Sequence, residues 1–348
     1  MSVFARCRHL AWLPILGFAV LALSSVSNPC QLIGADPRLT ITAPAGNLPQ
    51  SESGANAPST PLYPRPVQNV LETQIALARL CFSPGSIDGG FGPQTRSALR
   101  AFQTSQDLQA TGELDITTRS ALSLDRPPLT TFVMTSNDLA RLQPLSPTWL
   151  GKSEQSALEF ETALELAAEN CRSSPRLLVR LNPTINWTNI APGTTYLGPD
   201  ATNEPPTVKA GFLTISLSGR ILTVFDAETN IMAHFPCSIA QRVDKRPVGE
   251  LHVAAIAPNP NYTFDPEVFP ESAEARLIKT KLILPPGPNN PVGVAWISLD
   301  RSGYGIHGTP SPEQVGKTES HGCFRLANWN ATYLVNAVSV GTPVRVEP

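Results

Sequence analysis

Three side chains able to do acyl-transfer chemistry stand close together in this sequence: His307, His321 and Cys323. They lie in two short runs, Gly-Tyr-Gly-Ile-His-Gly-Thr over 303–309 and Ser-His-Gly-Cys-Phe-Arg-Leu over 320–326. The chain has 348 residues and 5 histidines, so two of its few imidazoles fall beside one thiol. A thiol near its ordinary pKa of about 8.5 is mostly protonated at neutral pH, and an imidazole within reach can take that proton. Gly322 has no Cβ, which lets a carbonyl approach the sulfur. Backbone N–H groups around Gly322 and Cys323 are suited to hold the oxyanion of a tetrahedral intermediate.

Two other readings fit the same residues. A lone cysteine is more often a buried packing group than a nucleophile. His321 and Cys323, at i and i+2, share one face of a strand, and with His307 as a third ligand they make a zinc site. Against zinc, no second cysteine lies nearby and neither CxxC nor HExxH occurs.

The elements that must position these groups read as β-structure. Phe212, Thr214, Ser216 and Ser218 alternate with Leu213, Ile215 and Leu217, and Ser218-Gly219 turns the chain back into Ile221–Phe225. Further strands are expected over 232–239, 249–257, 294–299 and 342–346. Short strands between Pro and Gly turns predict a mainly β domain, sandwich- or barrel-like, over 207–348.

The paired runs resemble the catalytic motif of the YkuD-type L,D-transpeptidases, in which a His-Gly pair precedes Ser-His-Gly-Cys-x-Arg/Asn. Here those are His307-Gly308 and Ser320-His321-Gly322-Cys323-Phe324-Arg325. The similarity continues through Arg246-Pro247-Val248-Gly249, where relatives commonly have Thr first, the segment 284–293, and Trp296-Ile297. It implies that Cys323 is the nucleophile and His307 the general base. His321 orients the site or assists the oxyanion, with Ser320 in support. Gly322 and Gly308 line the substrate, and Arg325 either meets a substrate carboxylate or forms a structural ion pair.

The rest of the chain divides into modules. Arg6 and Arg8 before the apolar run Leu10–Leu23, then small residues, read as an export signal over 1–27. Residues 28–66 are a Pro/Ser-rich linker whose apolar content is too low to offset ordering entropy. Residues 67–124 show three short helices around a Gly-rich turn, with Pro93 opening the second and Asp115 capping the third. They resemble the peptidoglycan-binding-1 domain through Ile87-Asp88-Gly89 and Phe91-Gly92, which implies wall contacts at Asp88 and Phe91. A linker is expected over 125–155, with Thr131-Phe132-Val133-Met134 as a short strand within it. Residues 156–206 resemble a LysM module, a βααβ fold, through Leu181-Asn182-Pro183 and Pro192-Gly193-Thr194. Trp187 reads either as a sugar-stacking platform or as a packed aromatic.

Lys plus Arg total 26 and Asp plus Glu 28, a net charge of -2 that suggests no nucleic-acid partner. Of the 6 cysteines, Cys30, Cys81, Cys171 and Cys237 allow three disulfide pairings, or none. The resemblances together imply an exported enzyme of the bacterial envelope that needs no metal or organic cofactor. Its partners are peptidoglycan stem peptides and glycan, carbapenems acylate its thiol, and it touches a membrane only through an uncleaved signal or a lipid anchor. The implied reaction is transfer from a tetrapeptide stem to an amine, giving 3→3 crosslinks. The alternatives are trimming by an L,D-carboxypeptidase and a non-catalytic wall-binding scaffold.

Overall fold

The computed structural model describes residues 62–268, 272–318 and 322–348. The expected export signal and most of the 28–66 linker lie outside the described residues, as do Cys30, Ser320 and His321.

The first module opens with β1 (Arg65–Pro66) and α1 (Val70–Arg79). Asn69 caps α1 by accepting from the Glu72 N–H, a cap worth about 1 kcal/mol. Next come α2 (Pro93–Ser105), which starts on its proline, and α3 (Ile116–Ala121), capped by Asp115. β2 (Ser123–Leu124) returns to pair with β1. Ile75, Leu77, Leu99, Phe102 and Leu122 form the core. The turn before α2 is held from within by buried Gln74, which accepts from the Gly89 N–H and donates to Asp88 Oδ1 and the Gly90 carbonyl.

The middle segment contains β3 (Leu129–Val133), α4 (Ser136–Ala140), α5 (Trp149–Glu154), α6 (Ala163–Asn170), α7 (Pro175–Leu181) and β4 (Thr195–Pro199). β3 and β4 pair antiparallel from Leu129↔Pro199 to Val133↔Thr195. With α6 and α7 between them, the order is βααβ. The expected linker at 125–155 is therefore corrected: its short strand, at Leu129–Val133, is the first strand of this unit, and two short helices follow it. Prolines at 127, 128, 144 and 147 read locally as breakers, yet Thr135 caps a short helix between them and Thr148 another just after them. Asn182 fastens α7 to β4: its Oδ1 accepts from the Leu197 N–H and its Nδ2 donates to the Leu197 and Leu178 carbonyls.

The third part supplies β5 (Phe212–Ser216), β6 (Ile221–Phe225), β7 (Ile231–Pro236), β8 (Gly249–Pro258), β9 (Tyr262–Phe264) and β10 (Leu282–Leu284). It continues with β11 (Ala295–Leu299), β12 (Gly305–His307), β13 (Phe324–Arg325), α8 (Asn328–Ala337) and β14 (Pro343–Glu347). One 8-stranded sheet runs β13-β12-β11-β8-β14-β5-β6-β7, and β9 and β10 form a separate hairpin. The β12–β13 and β14–β5 pairs are parallel. The mainly β catalytic domain expected from the alternation is thus present as a single curled sheet. Leu213, Ile215, Phe235, Ile297, Ile306 and Phe324 fill its core with Ala331 and Leu334 of α8. Truncating Phe235 or Phe324 to Ala should cost about 3–5 kcal/mol.

Backbone bonds join these parts. Ser238, just after β7, exchanges N–H···O bonds of 2.9 and 3.0 Å with Arg325 of β13, so the two ends of the sheet meet. The Ser83 N–H donates to the His234 carbonyl and the His234 N–H to the Cys81 carbonyl, laying the first module along β7. Leu158 donates to the Pro286 carbonyl and accepts from the Asn289 N–H, tying the middle segment to the loop before β11. Gly287 sits at this junction with φ +142°, and a Cβ there would collide with the Leu158 carbonyl. Cys81, Cys171 and Cys237 are free thiols.

Gly287→Ala should therefore destabilise the protein by about 1–3 kcal/mol, since neither the dihedral nor the backbone neighbour yields cheaply. A urea midpoint followed by tryptophan fluorescence checks this, and an unchanged midpoint would contradict the close approach.

Candidate active site

Alternation along three neighbouring strands builds the site. Trp296 of β11 stands directly across from His307 of β12, and His307 pairs in register with Arg325 of β13. Side chains alternate across a sheet, so Ile297, Ile306 and Phe324 point into the core, while Trp296, His307, Cys323 and Arg325 line one cleft on the other face. Gly305 is bare for a local reason: the Trp296 indole lies where its Cβ would be. The expected nucleophile and base are thus brought to one cavity of about 350 Å³.

His307 is buried, and its ring stacks on Trp296 at 5.5 Å and 25°. Its Nδ1 lies 2.6 Å from the Gly308 carbonyl. A carbonyl only accepts, so Nδ1 carries the proton and Nε2 is left as the basic nitrogen. Burial pushes the imidazole down to about 4, against the opposing pull of that carbonyl, and the Arg325 charge adds to the depression. The ring is neutral at pH 7.

The loop after His307 is fixed by Asn328 at the start of α8. Its buried Oδ1 accepts from the Thr309 N–H at 3.0 Å and the Val294 N–H at 3.3 Å. A Cβ on Gly293 or Gly308 would strike that same oxygen, which accounts for both glycines. Gly308, expected at the substrate surface, instead acts here through its carbonyl and its close packing on Asn328.

Cys323 is half-buried, and its Sγ lies 3.6 Å from the Gly303 carbonyl. Burial raises its pKa above the ordinary thiol value, while a backbone contact from Gly305 and the charge of Arg325 pull the other way. Burial wins, so the resting sulfur is a thiol. Space is open beside the Gly322 Cα, consistent with an approach path for a carbonyl. The Arg325 guanidinium lies partly buried in the cleft and reaches Thr318 Oγ1 at 3.4 Å.

Two cleft residues carried no signal in the sequence. Tyr262 of β9 lines the cavity, and its hydroxyl is pushed up to about 12 by burial and then by the nearby sulfur. Trp149 of α5 reaches the same cavity from the middle segment and stacks on Phe264 at 4.3 Å and 13°. Neither has a motif around it; only the fold brings them to Cys323. The other expected ligand contacts lie elsewhere. Asp88 Oδ1 accepts from the Gly90 N–H and from Gln74, and Phe91 lies under the Arg96 guanidinium at 4.9 Å. Trp187 packs edge-on to Tyr196 at 5.6 Å. Among the described residues, no three His, Cys, Asp or Glu side chains gather as a metal site.

A raised thiol pKa means less thiolate at a given pH. Cys323 should therefore react with iodoacetamide more slowly than free cysteine at pH 7, and its rate should keep rising beyond the ordinary thiol range near pH 8.5. Alkylation rates across pH, read by intact mass, check this; a half-point below that of free cysteine would mean the cleft stabilises the thiolate.

With the geometry in place, comparison with known proteins gives the same division. The profile of the YkuD family, described as the L,D-transpeptidase catalytic domain, matches residues 210–346. A profile described as "Putative peptidoglycan binding domain" matches residues 66–122. Similar proteins include the "Putative L,D-transpeptidase YkuD" of Bacillus licheniformis, 27% identical over 185 residues, or 53% of this chain and 93% of that one. The "Probable L,D-transpeptidase ErfK/SrfK" of Escherichia coli is 32% identical over 143 residues, 41% of this chain and 45% of its own length. Among solved structures, an L,D-transpeptidase from Mycobacterium smegmatis aligns at 19% identity and TM-score 0.32 over 44% of this chain and 66% of that one. The chain thus spans less than half of the second relative and about two thirds of the third. Its sheet domain, holding Cys323 and His307, belongs to the YkuD family of L,D-transpeptidases, and its N-terminal helical module is a peptidoglycan-binding-1 domain.

Proposed function

We propose that this chain is an exported peptidoglycan L,D-transpeptidase working by cysteine acyl transfer. The observation that carries the reading is the single cleft shared by Cys323 and a His307 whose Nδ1–H is committed to the Gly308 carbonyl. In this reaction Nε2 of His307 takes the thiol proton as Sγ attacks the carbonyl of the third stem residue. Backbone N–H groups near Gly322 and Cys323 stabilise the oxyanion. The C–N bond then breaks, His307 returns the proton to the departing D-alanine amine, and a thioester remains on Cys323. An amine from a neighbouring stem attacks the thioester, forms the 3→3 amide and frees the thiol; water in its place makes the enzyme an L,D-carboxypeptidase.

The remaining residues fill supporting roles in this scheme. Arg325, the cation beside the sulfur, is suited to a substrate carboxylate. Ser320 and His321 orient the nucleophile or its oxyanion. The peptidoglycan-binding-1 domain holds the enzyme on the wall of the bacterial envelope, and the βααβ unit adds a glycan contact through Trp187. Solved L,D-transpeptidases include one in complex with imipenem and one with a faropenem-derived adduct. We extend that chemistry to Cys323.

Incubating the fully reduced protein with imipenem should add one drug mass by intact mass spectrometry, and Cys323→Ala should gain none. His307→Ala should slow acylation by about 10²–10⁴-fold, the usual share of a positioned base. Absence of an adduct on the wild type, with Cys323 still open to iodoacetamide, would favour the scaffold reading. Muropeptide analysis separates crosslinked from trimmed products. Trp149→Ala should raise KM for a disaccharide-tetrapeptide by about 5- to 30-fold, as an aromatic contact worth roughly 1–2 kcal/mol requires, while leaving imipenem acylation within a factor of a few. Equal losses on both substrates would mean that Trp149 only supports the fold.

A further inference from the structure

A second cleft, of about 240 Å³, lies between α6 and the 310–314 segment, whose Glu313 also lines it, with Asn328 in the same lining. Glu165 and Glu169 line it from one face of α6, four residues apart. Phe160 and Pro310 supply apolar walls. Glu165 is already used, accepting from the Asn289 side chain at 2.7 Å and the Glu161 N–H at 2.8 Å. Among the described residues neither glutamate is in an ion pair. Arg172 stands near enough to favour a Glu169 carboxylate, but its Nη2 is committed to Asn203 Oδ1. Burial first, and then the charge of Glu165, push the Glu169 carboxyl up to about 8, against a hydrogen bond from Asn328.

The second observation is independent of charge. Ser173 also lines this cleft, is only 2% exposed, and its Oγ has no hydrogen-bond partner among the described residues. Leaving a buried hydroxyl unsatisfied costs about 1–3 kcal/mol. One kind of ligand answers both features. An ammonium group has three donors and no acceptor, so it supplies charge to the carboxylate pair and a hydrogen bond to the hydroxyl. An alkyl stem on that group would lie against Phe160 and Pro310. We propose that this cleft is a binding site for an aliphatic primary amine in its ammonium form, held by Glu169, Glu165 and Ser173. The site does not depend on the acyl-transfer reading, since its groups take no part in that chemistry.

The test uses full-length protein carrying Cys323→Ala, so that no turnover intervenes, titrated with 1,5-diaminopentane by calorimetry near neutral pH. The diamine should bind saturably at one site, whereas 1-pentanol and pentanoate should not. Glu169→Gln should weaken binding by about tenfold or more, and Ser173→Ala by about three- to tenfold, the range of one buried polar contact. Binding should also release protons from Glu169, seen as heats that vary with the buffer's ionisation enthalpy, and Glu169→Gln should abolish that variation. Wild-type protein alkylated at Cys323 should bind the diamine unchanged. The proposal is overturned by the absence of saturable heat, by unaltered affinity in folded Glu169→Gln and Ser173→Ala proteins, or by loss of binding on Cys323 alkylation, which would put the amine in the catalytic cleft.

Discussion

The site rests on a very short parallel pairing, Ile306 with Phe324 and His307 with Arg325. Two residues of ladder set which side of the sheet Cys323 faces. A slip of one residue would turn Cys323 into the core and bring Phe324 out, because strand side chains alternate with period two. So brief a pairing is weak alone, and neighbouring contacts over-determine it. Ser238 grips the far side of β13 through two backbone bonds, and the Leu326 N–H donates to the His307 carbonyl. Ile306 and Phe324 are almost fully buried, so a slip would also expose apolar surface.

Burial then decides the resting state of the chemistry. It raises the thiol and lowers the imidazole, so both partners are neutral near pH 7. A neutral pair suits a mechanism in which proton transfer accompanies attack, rather than one with a stored thiolate–imidazolium pair. The Nδ1–H bond to Gly308 prepares for this by fixing the tautomer. Asn328 prepares the bond in turn, since its Oδ1 holds the backbone on both sides of that carbonyl's loop. The histidine's role is thus supported by a side chain twenty-one positions further along the chain.

How far the sequence foretold this follows from how local each signal is. His307, Gly308, Gly322 and Cys323 lie in two compact runs whose residue types already suggest the chemistry. Of the strands with clean alternation, β6 runs over the expected Ile221–Phe225, while β5 ends at Ser216, two residues short of the alternating run. Asn328, Tyr262 and Trp149 have no such signature: an asparagine at a helix start, a tyrosine in a three-residue strand and a tryptophan on a one-turn helix are each unremarkable. They matter because β9, α5 and α8 converge in space. The supposed 125–155 linker failed for a related reason. Its prolines are strong local breakers, whereas the pairing of β3 with β4 joins residues far apart in the chain, Leu129 with Pro199 and Val133 with Thr195.

The contact between the first module and β7 has a further consequence. A strand at the margin of a sheet presents unpaired amides that invite another chain to add on. In this protein those positions of β7 are taken by the backbone at Cys81–Ser83, and the His234 imidazole is sealed beneath, with Ser97 Oγ 3.0 Å from its Nε2. The N-terminal helical module therefore acts as a guard against strand addition. Cutting the chain near residue 207 to isolate the sheet domain would uncover that margin, leaving a fragment prone to self-association even with its catalytic groups intact.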